Sequence, residues 1–287
     1  MKFRYLISGS SGLLGSALLK EIESLDGYVS TIERNYFLES PNFDKLKERI
    51  KDYKCNVFIH CAANTNVEEC EINANDCYRD NYLVPEIIAG ICSELSIKLV
   101  FISSTGIYGS HKNVPYTEID KVNPTTVHHK AKFKAECSCQ KLCPNSLIIR
   151  TGWLFGGETT NKNNFVVNRI KEARSSEGMI FSDPYQKGNP SSVYDVSKRI
   201  LELIENNTCG IYNCVNNGVA SRYEYVKAII DASSVSVTVN KTKSPFKRTA
   251  KVSHNESAVN FKMDLLGYPR MRNWKEALED YIRERKL

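Results

Sequence analysis

The sequence predicts an α/β protein with a doubly wound parallel sheet and a smaller C-terminal lobe. Three observations lead to this fold class. A strand, a glycine turn and a helix follow one another at the N-terminus, strands then alternate with helical patterns, and the alternation weakens from Asn163 onward. Such alternation favours a parallel sheet with helices on both faces. We therefore expect a first domain at residues 1–155, joined by a further strand and helix from about 185–215, and a lobe formed mostly by residues 156–287.

The composition is that of an ordinary folded protein. Of the 287 residues, 41% are hydrophobic and 25% are charged, and the formal net charge is +6. No apolar run approaches the ~20 residues that span a bilayer, and the first residues lead into a strand instead of a signal peptide. We therefore expect a cytoplasmic protein with no membrane partner and no nucleic-acid partner. The basic segment 240–251 is compatible with contacts to phosphates and equally with a solvated loop.

The ten cysteines are expected to stay reduced, because the sequence shows no export signal. Cys137, Cys139 and Cys143 lie close together on a predicted helix, but no Cys-x-x-Cys pair accompanies them. The sequence therefore predicts no metal site.

The first predicted strand, Phe3 to Ser8, runs into a turn with three glycines, Gly9-Ser-Ser-Gly12-Leu-Leu-Gly15. This spacing suits a tight turn, close approach of the backbone to a pyrophosphate, and close packing of helix on strand. The alternative is a tight connection that binds nothing. The position between a strand and an apolar-periodic helix favours a dinucleotide on the N–H groups that open the helix, as in Rossmann folds. The residues predicted to hold it are Gly9, Ser11, Gly12, Leu13, Leu14 and Gly15.

The second predicted strand, Gly27 to Ile32, ends at Glu33 and Arg34. In dinucleotide folds an acidic side chain at this point hydrogen-bonds the adenosine ribose, whereas an arginine accommodates a 2′-phosphate. The sequence offers both residue types at adjacent positions. We predict NADP as the cofactor, bound through Arg34, with NAD as the second choice because Glu33 could repel a phosphate.

Two further strands bring small and hydroxylated residues to the carboxyl end of the sheet. A polar helix from about Asn42 to Asp52 precedes a buried-type strand that ends in small residues, which let the backbone lie against a cofactor. A helix is expected to begin near Asn75, and the strand Ile97 to Ile102 then runs into Ser104 and Thr105. Doubly wound folds bind ligands at this end of their strands. We expect the small residues Cys61, Ala62 and Ala63, together with nearby Thr65, to lie beside the cofactor.

The next helical pattern places His128, Lys132 and Glu136 at four-residue spacing on one face. The strand that follows, Leu147 to Arg150, leads to Trp153 at the mouth of the sheet. The indole is expected either to stack on a sugar or nucleobase or to pack within the lobe.

The order and spacing of these motifs resemble the extended short-chain dehydrogenase/reductase family over essentially the whole chain. The shared motifs are Gly9-x-x-Gly12-x-x-Gly15, His60-Cys-Ala-Ala, Asn81, Ser103-Ser104 leading to Tyr108-Gly109, and Lys132. Within this family the chain is similar to the dTDP-4-dehydrorhamnose reductase branch. The motifs that carry this closer similarity are Asn64-Thr65-Asn-Val, Asn123-Pro124, Arg150-Thr-Gly-Trp153, Asn163-Asn-Phe165 and Asn273-Trp274-Lys-Glu-Ala-Leu.

The resemblance implies catalytic roles for Ser104 and Lys132. The serine hydroxyl would hydrogen-bond the substrate carbonyl, and the lysine would bind the nicotinamide ribose. It also implies a cofactor contact at Asn81, and a tyrosine, four residues before the lysine, that serves as general acid or base. His128 stands at that tyrosine position. An imidazole can donate a proton or, when neutral, polarise a carbonyl. The alternatives are a degenerate site in a protein that only binds, and a variant made to trap a complex.

The resemblance also implies a set of substrate contacts. The loop from Asp183 to Pro190 would face the substrate, and Lys187 and Arg248 are the candidates for contacts to a diphosphate. Both could instead be ordinary surface charges. The residues predicted to contact the substrate are Thr105, Trp153, Asn164, Lys187 and Arg248.

We therefore predict an NADP(H)-dependent reductase that converts a keto group on a nucleotide-linked sugar to an alcohol, in surface-polysaccharide or deoxysugar biosynthesis. Residues 1–155 would bind the dinucleotide, and the lobe would bind the substrate. The alternatives are a nucleotide-sugar epimerase or dehydratase of the same family, and a non-catalytic NADP-binding subunit that regulates a partner. The sequence leaves open the sugar, the nucleotide and whether the chain forms a homodimer.

Overall fold

The computed structural model describes residues 3–38 and 43–287, which form a six-stranded parallel sheet, helices on both of its faces, and a helical lobe. The strands are β1 Arg4–Ser8, β2 Tyr28–Ile32, β3 Val57–His60, β4 Lys98–Ser104, β5 Leu147–Thr151, β6 Leu154–Phe155, β7 Met179–Ser182, β8 Lys187–Gly188, β9 Ser191–Ser192, β10 Gly210–Asn213, β11 Ala220–Ser221 and β12 Thr238–Lys241. The helices are α1 Leu13–Ser24, α2 Asn35–Leu38, α3 Phe43–Asp52, α4 Val67–Ile72, α5 Ala74–Tyr78, α6 Val84–Glu94, α7 Val127–Leu142, α8 Phe165–Arg174, α9 Val193–Glu205, α10 Arg222–Ala232, α11 Phe261–Leu265 and α12 Trp274–Arg285, with a π-helical turn at Arg79–Leu83 and a 3₁₀ turn at Thr105–Tyr108.

The sheet has the order β2-β1-β3-β4-β5-β10, and every neighbouring pair is parallel. The chain moves outward from β1 to β2 and then crosses to the other side of β1 to add β3. The strand order therefore reverses between β1 and β3, and this reversal opens a crevice at the carboxyl ends of the strands. The predicted fold class, a doubly wound Rossmann-like α/β fold, is confirmed.

Apolar side chains cover both faces of the sheet. Strands β3 and β5 are buried along their whole length, as expected for parallel strands covered on both sides. Helices α1 and α9 pack on one face, and α3, α6 and α7 pack on the other. This sandwich holds the carboxyl ends of the strands in fixed positions.

The lobe is organised around aromatic residues. Helices α8, α10 and α12 enclose Phe155, Tyr225 and Trp274 in a separate apolar cluster. Between the two parts of this lobe the chain returns to the sheet, where α9 packs on α1 and β10 forms the sixth strand. This return lies within the predicted 185–215 contribution to the first domain.

Two predicted helices are found close to their expected positions. The polar helix expected from Asn42 is α3, and Asn42 itself lies outside the described residues. The helix expected near Asn75 is α5, which begins at Ala74 and continues into the π-helical turn that carries Asn81. Helix α4, which was not predicted from the sequence, begins at Val67, where the Asn66 side chain accepts from the Glu69 N–H and caps it. No helix within the described ranges is both long and apolar enough to cross a membrane.

Candidate active site

The glycine turn lies in the crevice where the strand order reverses. Gly9 has a φ of +73°, and a Cβ there would lie 2.6 Å from the Ala62 backbone nitrogen at the end of β3. A Cβ at Gly15 would lie 2.1 Å from the Gly9 carbonyl oxygen. Gly12 is the N-cap of α1 and supplies no side chain to its first N–H groups. The turn is therefore a backbone-lined cradle of the kind that fits a dinucleotide pyrophosphate.

The other residues predicted to hold the cofactor differ in their exposure. Ser11 and Thr65 are exposed, Leu13, Cys61, Ala62 and Ala63 are half-buried, and Leu14 is buried against the sheet. Glu33 and Arg34 are exposed beyond the end of β2, and Arg34 forms an ion pair with Asp80.

Asn81 is fully buried and holds the loop that follows β3. Its Oδ1 accepts from the Asn64 N–H at 3.1 Å, and its Nδ2 donates to the Asn64 carbonyl oxygen at 3.0 Å. Asn81 lies in the π-helical turn, a rare feature that is frequent at functional sites. In this structure Asn81 fixes the backbone against which His128 rests.

His128 has a defined neutral tautomer. Its Nδ1 lies 2.9 Å from the Asn64 carbonyl oxygen, which only accepts hydrogen bonds, so Nδ1 carries the proton and donates. Nε2 of the neutral ring therefore has a lone pair and no proton to give. Burial, followed by the charges of His129 and Lys132, lowers the pKa of His128 well below its usual 6.5. The ring can donate from Nε2 only as imidazolium.

Lys132 lies one helical turn after His128 on α7 and is buried at the end of β4. Its Nζ donates to the Ile102 carbonyl oxygen at 2.9 Å and lies 4.7 Å from the centre of the Phe101 ring. Burial lowers the pKa of Lys132 to about 8. The ammonium is therefore fixed by the strand that carries Ser104.

Ser104 and Thr105 lie at the junction of β4 and the 3₁₀ turn. The Ser104 side chain is half-buried and its Oγ accepts from the Gly106 N–H at 3.1 Å. Thr105 is buried, and a Cβ on Gly152 would lie 2.5 Å from its Oγ1. The His129 ring packs so closely on Gly106 that a Cβ there would lie 2.2 Å from the ring. The end of β4 and the start of α7 are therefore held together.

Two cysteines lie beneath His128. The ligand atoms of Cys70, Cys77 and His128 all lie within 4.8 Å of one another. The Asn81 Nδ2 lies 3.3 Å from Cys77 Sγ, 3.9 Å from Cys70 Sγ and 3.5 Å from His128 Nδ1. The amide nitrogen thus fills the space in which an ion would have to sit.

A cavity of about 660 Å³ lies in the lobe. It is lined by Phe165, Arg169, Phe181, Ser182, Asp183, Gln186, Arg222, Val226, Pro245, Phe246, Arg248, Ala250, Lys251, Val252, Ser253 and His254. Among these side chains are those of three arginines, one lysine and three phenylalanines. At one end, the Ser253 hydroxyl lies 3.4 Å from that of Thr125, just before α7 and His128. The cavity thus reaches the segment that precedes α7, and it offers cations for phosphates and rings for a base.

Trp153 packs against the wall of this cavity. Its ring lies 3.5 Å from the Arg222 guanidinium carbon, and a Cβ on Gly188 would meet it at 2.4 Å. Its Nε1 donates to the Glu256 carboxylate at 2.9 Å. Arg222, which also donates to Gln186 at 3.3 Å, lines the cavity itself. Burial lowers the pKa of Arg222 to about 10, so it stays charged near neutral pH.

The other predicted substrate residues differ in position. Arg248 lines the cavity and forms an ion pair with Glu68. Lys187 is exposed and does not line the cavity. Its neighbour Gln186 is buried and does line it. Asn164 is fully buried: its side chain accepts from the Val167 N–H, capping α8, and donates to the Tyr281 hydroxyl at 2.7 Å.

Arg222 is the main cavity residue that sequence reasoning missed. It directly follows Ser221, which forms a capping box with Glu224 at the start of α10. The Ser-x-x-Glu pattern could have marked this helix start. It could not have placed the arginine beside Trp153, since the two are far apart in the chain.

Comparisons with known proteins identify the family to which this chain belongs. A family model described as the RmlD substrate binding domain matches residues 3–287. The spore coat polysaccharide biosynthesis protein SpsK of Bacillus subtilis is 27% identical, with 98% of each chain covered. The crystal structure of a dTDP-4-dehydrorhamnose reductase from Clostridium acetobutylicum is 28% identical with a TM-score of 0.93, covering 99% of this chain and all of that one. The structure of dTDP-4-dehydrorhamnose reductase from Bacillus anthracis in complex with NADP is 26% identical with a TM-score of 0.92 and the same coverage.

Proposed function

This chain belongs to the RmlD substrate binding domain family, in the extended short-chain dehydrogenases/reductases, and on that premise we propose that it is an NADP(H)-dependent reductase of a nucleotide-linked ketosugar. The keto group becomes an alcohol, and the product serves surface-polysaccharide or deoxysugar biosynthesis. Relatives named as reductases of dTDP-linked keto sugars and as a polysaccharide biosynthesis protein support this assignment.

The observation that carries the proposal is that α7 and the residues just before it contact both the sheet and the cationic cavity. Lys132 of α7 is bound to β4, and Thr125, just before α7, contacts Ser253 in the cavity lining. A cofactor on the glycine turn and a nucleotide sugar in the cavity would meet beside His128. A cleft with only a structural role would not require a buried ammonium and an ordered imidazole at this point.

NADP(H), when bound, supplies the hydride that reduces the keto carbon. The chain's residues hold it and complete the reaction. The glycine turn and the start of α1 bind the pyrophosphate, and Arg34 binds the adenosine 2′-phosphate. Lys132 binds the nicotinamide ribose, and the Ser104 hydroxyl donates to the keto oxygen.

The proton for the new alkoxide comes from His128. Because Nδ1 is committed to the Asn64 carbonyl, the donor is Nε2 of the imidazolium. A lowered pKa makes this imidazolium a stronger acid and a smaller fraction of the enzyme at neutral pH. Asn81 acts as a positioning residue, since it holds the carbonyl that orients the ring.

The nucleotide lies in the cavity of the lobe. Arg222 and Arg248 bind its diphosphate, because guanidinium groups recognise phosphate oxygens with paired hydrogen bonds. The rings of Phe165, Phe181 and Phe246 provide faces on which a base stacks.

The second candidate function is a non-catalytic NADP-binding subunit that regulates a partner. The replacement of the family's tyrosine by His128 is the observation in its favour. The ordered hydrogen bond of His128 and the buried ammonium of Lys132 favour the enzyme.

The test is NADPH oxidation by the purified full chain over dTDP-, UDP- and GDP-linked ketosugars, with NADH in parallel. The proposal expects turnover with at least one of these sugars and a preference for NADPH. Tight NADPH binding without turnover on any of them would favour the regulatory subunit. Absence of both binding and turnover would remove both functions.

A further inference from the structure

A buried carboxylate, Asp80, holds two arginines at the cofactor end of the crevice. Its side chain is 3% exposed, whereas those of Arg34 and Arg79 are about half exposed, at 50% and 44%. Arg79 Nε donates to Asp80 Oδ1 at 2.9 Å, and Arg34 Nη2 donates to Oδ2. The two guanidinium groups are thus bound to opposite oxygens of one carboxylate.

The π-helical turn explains why Asp80 is buried. Asp80 and Asn81 are consecutive residues of this turn, and both are buried. Asn81 reaches the loop beneath His128, while Asp80 lines a small pocket with Arg34, Ala62 and Ala63. Ala62 is also the residue that touches Gly9. Asp80 and Arg34 therefore lie beside the dinucleotide cradle, and Arg79 is joined to them through Asp80.

A buried carboxylate needs compensating charge, and here two cations supply it. One of them would be enough to neutralise Asp80. Arg79 is also bound to Asp76 through Nη1, at 2.8 Å, so its side chain is fixed at two points. Long side chains held in place lose less conformational freedom when they bind a ligand. Two fixed, half-exposed guanidinium groups make a site suited to a phosphate.

We propose that Arg79 is a second ligand of the 2′-phosphate of NADP(H), and that Asp80 is the positioning residue that holds Arg34 and Arg79 for it. The inference rests on the proposed function only for the identity of the cofactor. In this proposal the π-helical turn supports both ends of the site, because Asp80 positions the arginines that bind the cofactor and Asn81 positions the acid, His128.

The experiment measures binding of two probes to the full chain by calorimetry. 2′,5′-ADP carries the 2′-phosphate, and 5′-AMP is the same nucleotide without it. The variants are Arg79→Gln, Asp80→Asn and the matched control Arg283→Gln. Like Arg79→Gln, the control breaks an ion pair between two residues that are three apart in the chain, but it lies in the C-terminal helix. Thermal unfolding of each variant establishes that it is folded.

Arg79→Gln should weaken 2′,5′-ADP by roughly tenfold or more while 5′-AMP changes by less than roughly twofold. Asp80→Asn should act in the same direction, and Arg283→Gln should change neither probe. Tighter 2′,5′-ADP binding in Asp80→Asn would overturn the proposal, because Asp80 would then compete with the phosphate. Equal losses for both probes, or no preference for 2′,5′-ADP in the unaltered protein, would also overturn it.

These measurements use no ketosugar and no turnover. A protein that reduces no ketosugar but binds 2′,5′-ADP through Arg79 would refute the proposed function and leave this inference standing. If Arg79→Gln changed neither turnover with NADPH nor 2′,5′-ADP binding, this inference would be refuted and the proposed function would stand.

Discussion

The carboxyl end of the sheet and the cavity of the lobe are built by different means. At the sheet, the cradle is made of backbone: Gly9 lies against Ala62, and Gly15 lies against Gly9. In the lobe, the cavity is made of side chains from distant segments, among them Phe165, Arg222 and Arg248. The first construction depends on the absence of side chains, and the second depends on their chemistry.

This difference predicts which substitutions each region tolerates. A backbone cradle cannot accommodate an added methyl group, because that group meets main-chain atoms that cannot rotate away. A side-chain cavity can lose one cation and keep its shape. We therefore expect substitutions at the sheet to affect turnover and folding, and substitutions in the lobe to affect substrate affinity alone.

Apart from the His128 variants, the largest effect is expected from Lys132→Met, which removes the buried ammonium and keeps the apolar stem over Phe101. Turnover should fall by roughly 100- to 1,000-fold, as for other lost electrostatic groups in active sites. The affinity for the nucleotide sugar, measured by calorimetry, should change little because Lys132 lies at the sheet. Near-normal turnover would make this lysine a structural residue of α7.

A smaller loss is expected when the cradle itself is filled. Gly15→Ala places a Cβ 2.1 Å from the Gly9 carbonyl oxygen and should cost about 1 to 3 kcal/mol in the free energy of unfolding. Gly12→Ala is the matched control, because its Cβ would lie 3.2 Å from the same oxygen and its φ is −76°. Chemical denaturation should show a clear loss for Gly15→Ala only. Similar losses in the two variants would contradict the close packing of α1 on the turn.

Arg222→Ala should separate the lobe from the sheet. We expect the affinity for the nucleotide sugar to fall by roughly 10- to 100-fold, the range for lost hydrogen bonds to a charged group, with NADPH binding unchanged. Lys187→Ala serves as the control, since that side chain is exposed and does not line the cavity. If Lys187→Ala weakened sugar binding and Arg222→Ala did not, the diphosphate would lie outside the cavity.

The smallest effect is a pH dependence. His128 must be protonated to donate, and its pKa lies below 6.5, so kcat/KM for reduction should rise as the pH falls toward that pKa, by at most about tenfold per pH unit. At His128 the unfolded chain binds more protons than the folded chain below about pH 6.5, so the contribution of this residue to stability falls as the pH falls through that range. Thermal unfolding at each pH therefore accompanies the rate measurement. A rate that is independent of pH would mean that proton donation by His128 does not limit the reaction.

The sequence could predict the sheet because its information is local. The glycine spacing, the small residues after β3 and the four-residue spacing of His128 and Lys132 all lie within single strand–turn–helix units. The ion pair of Arg34 with Asp80 could not be predicted in this way, because the partners are 46 residues apart and meet only through the π-helical turn. The same holds for Arg222 and Trp153. Asn164 shows the opposite case, where a residue chosen for substrate caps a helix.

The tautomer of His128 shows what only the structure could add. From the sequence, the imidazole could donate a proton or, as a neutral ring, polarise a carbonyl. The 2.9 Å hydrogen bond to Asn64 leaves only the imidazolium, because the neutral Nε2 carries no proton. The central claim, that His128 is the acid of a ketosugar reductase, therefore has a single chemical form.

The most direct test compares the unaltered protein, His128→Phe and His128→Tyr in NADPH oxidation with a nucleotide-linked ketosugar, with NADPH affinity measured by calorimetry as the control. The account predicts turnover by the unaltered protein and a loss of roughly 100- to 10,000-fold in His128→Phe at unchanged NADPH affinity. His128→Tyr restores the residue of the family and retains an acid, so it should exceed His128→Phe. If the unaltered protein and His128→Phe were equally inert while His128→Tyr turned over, the histidine would be a disabled position and the claim would be wrong.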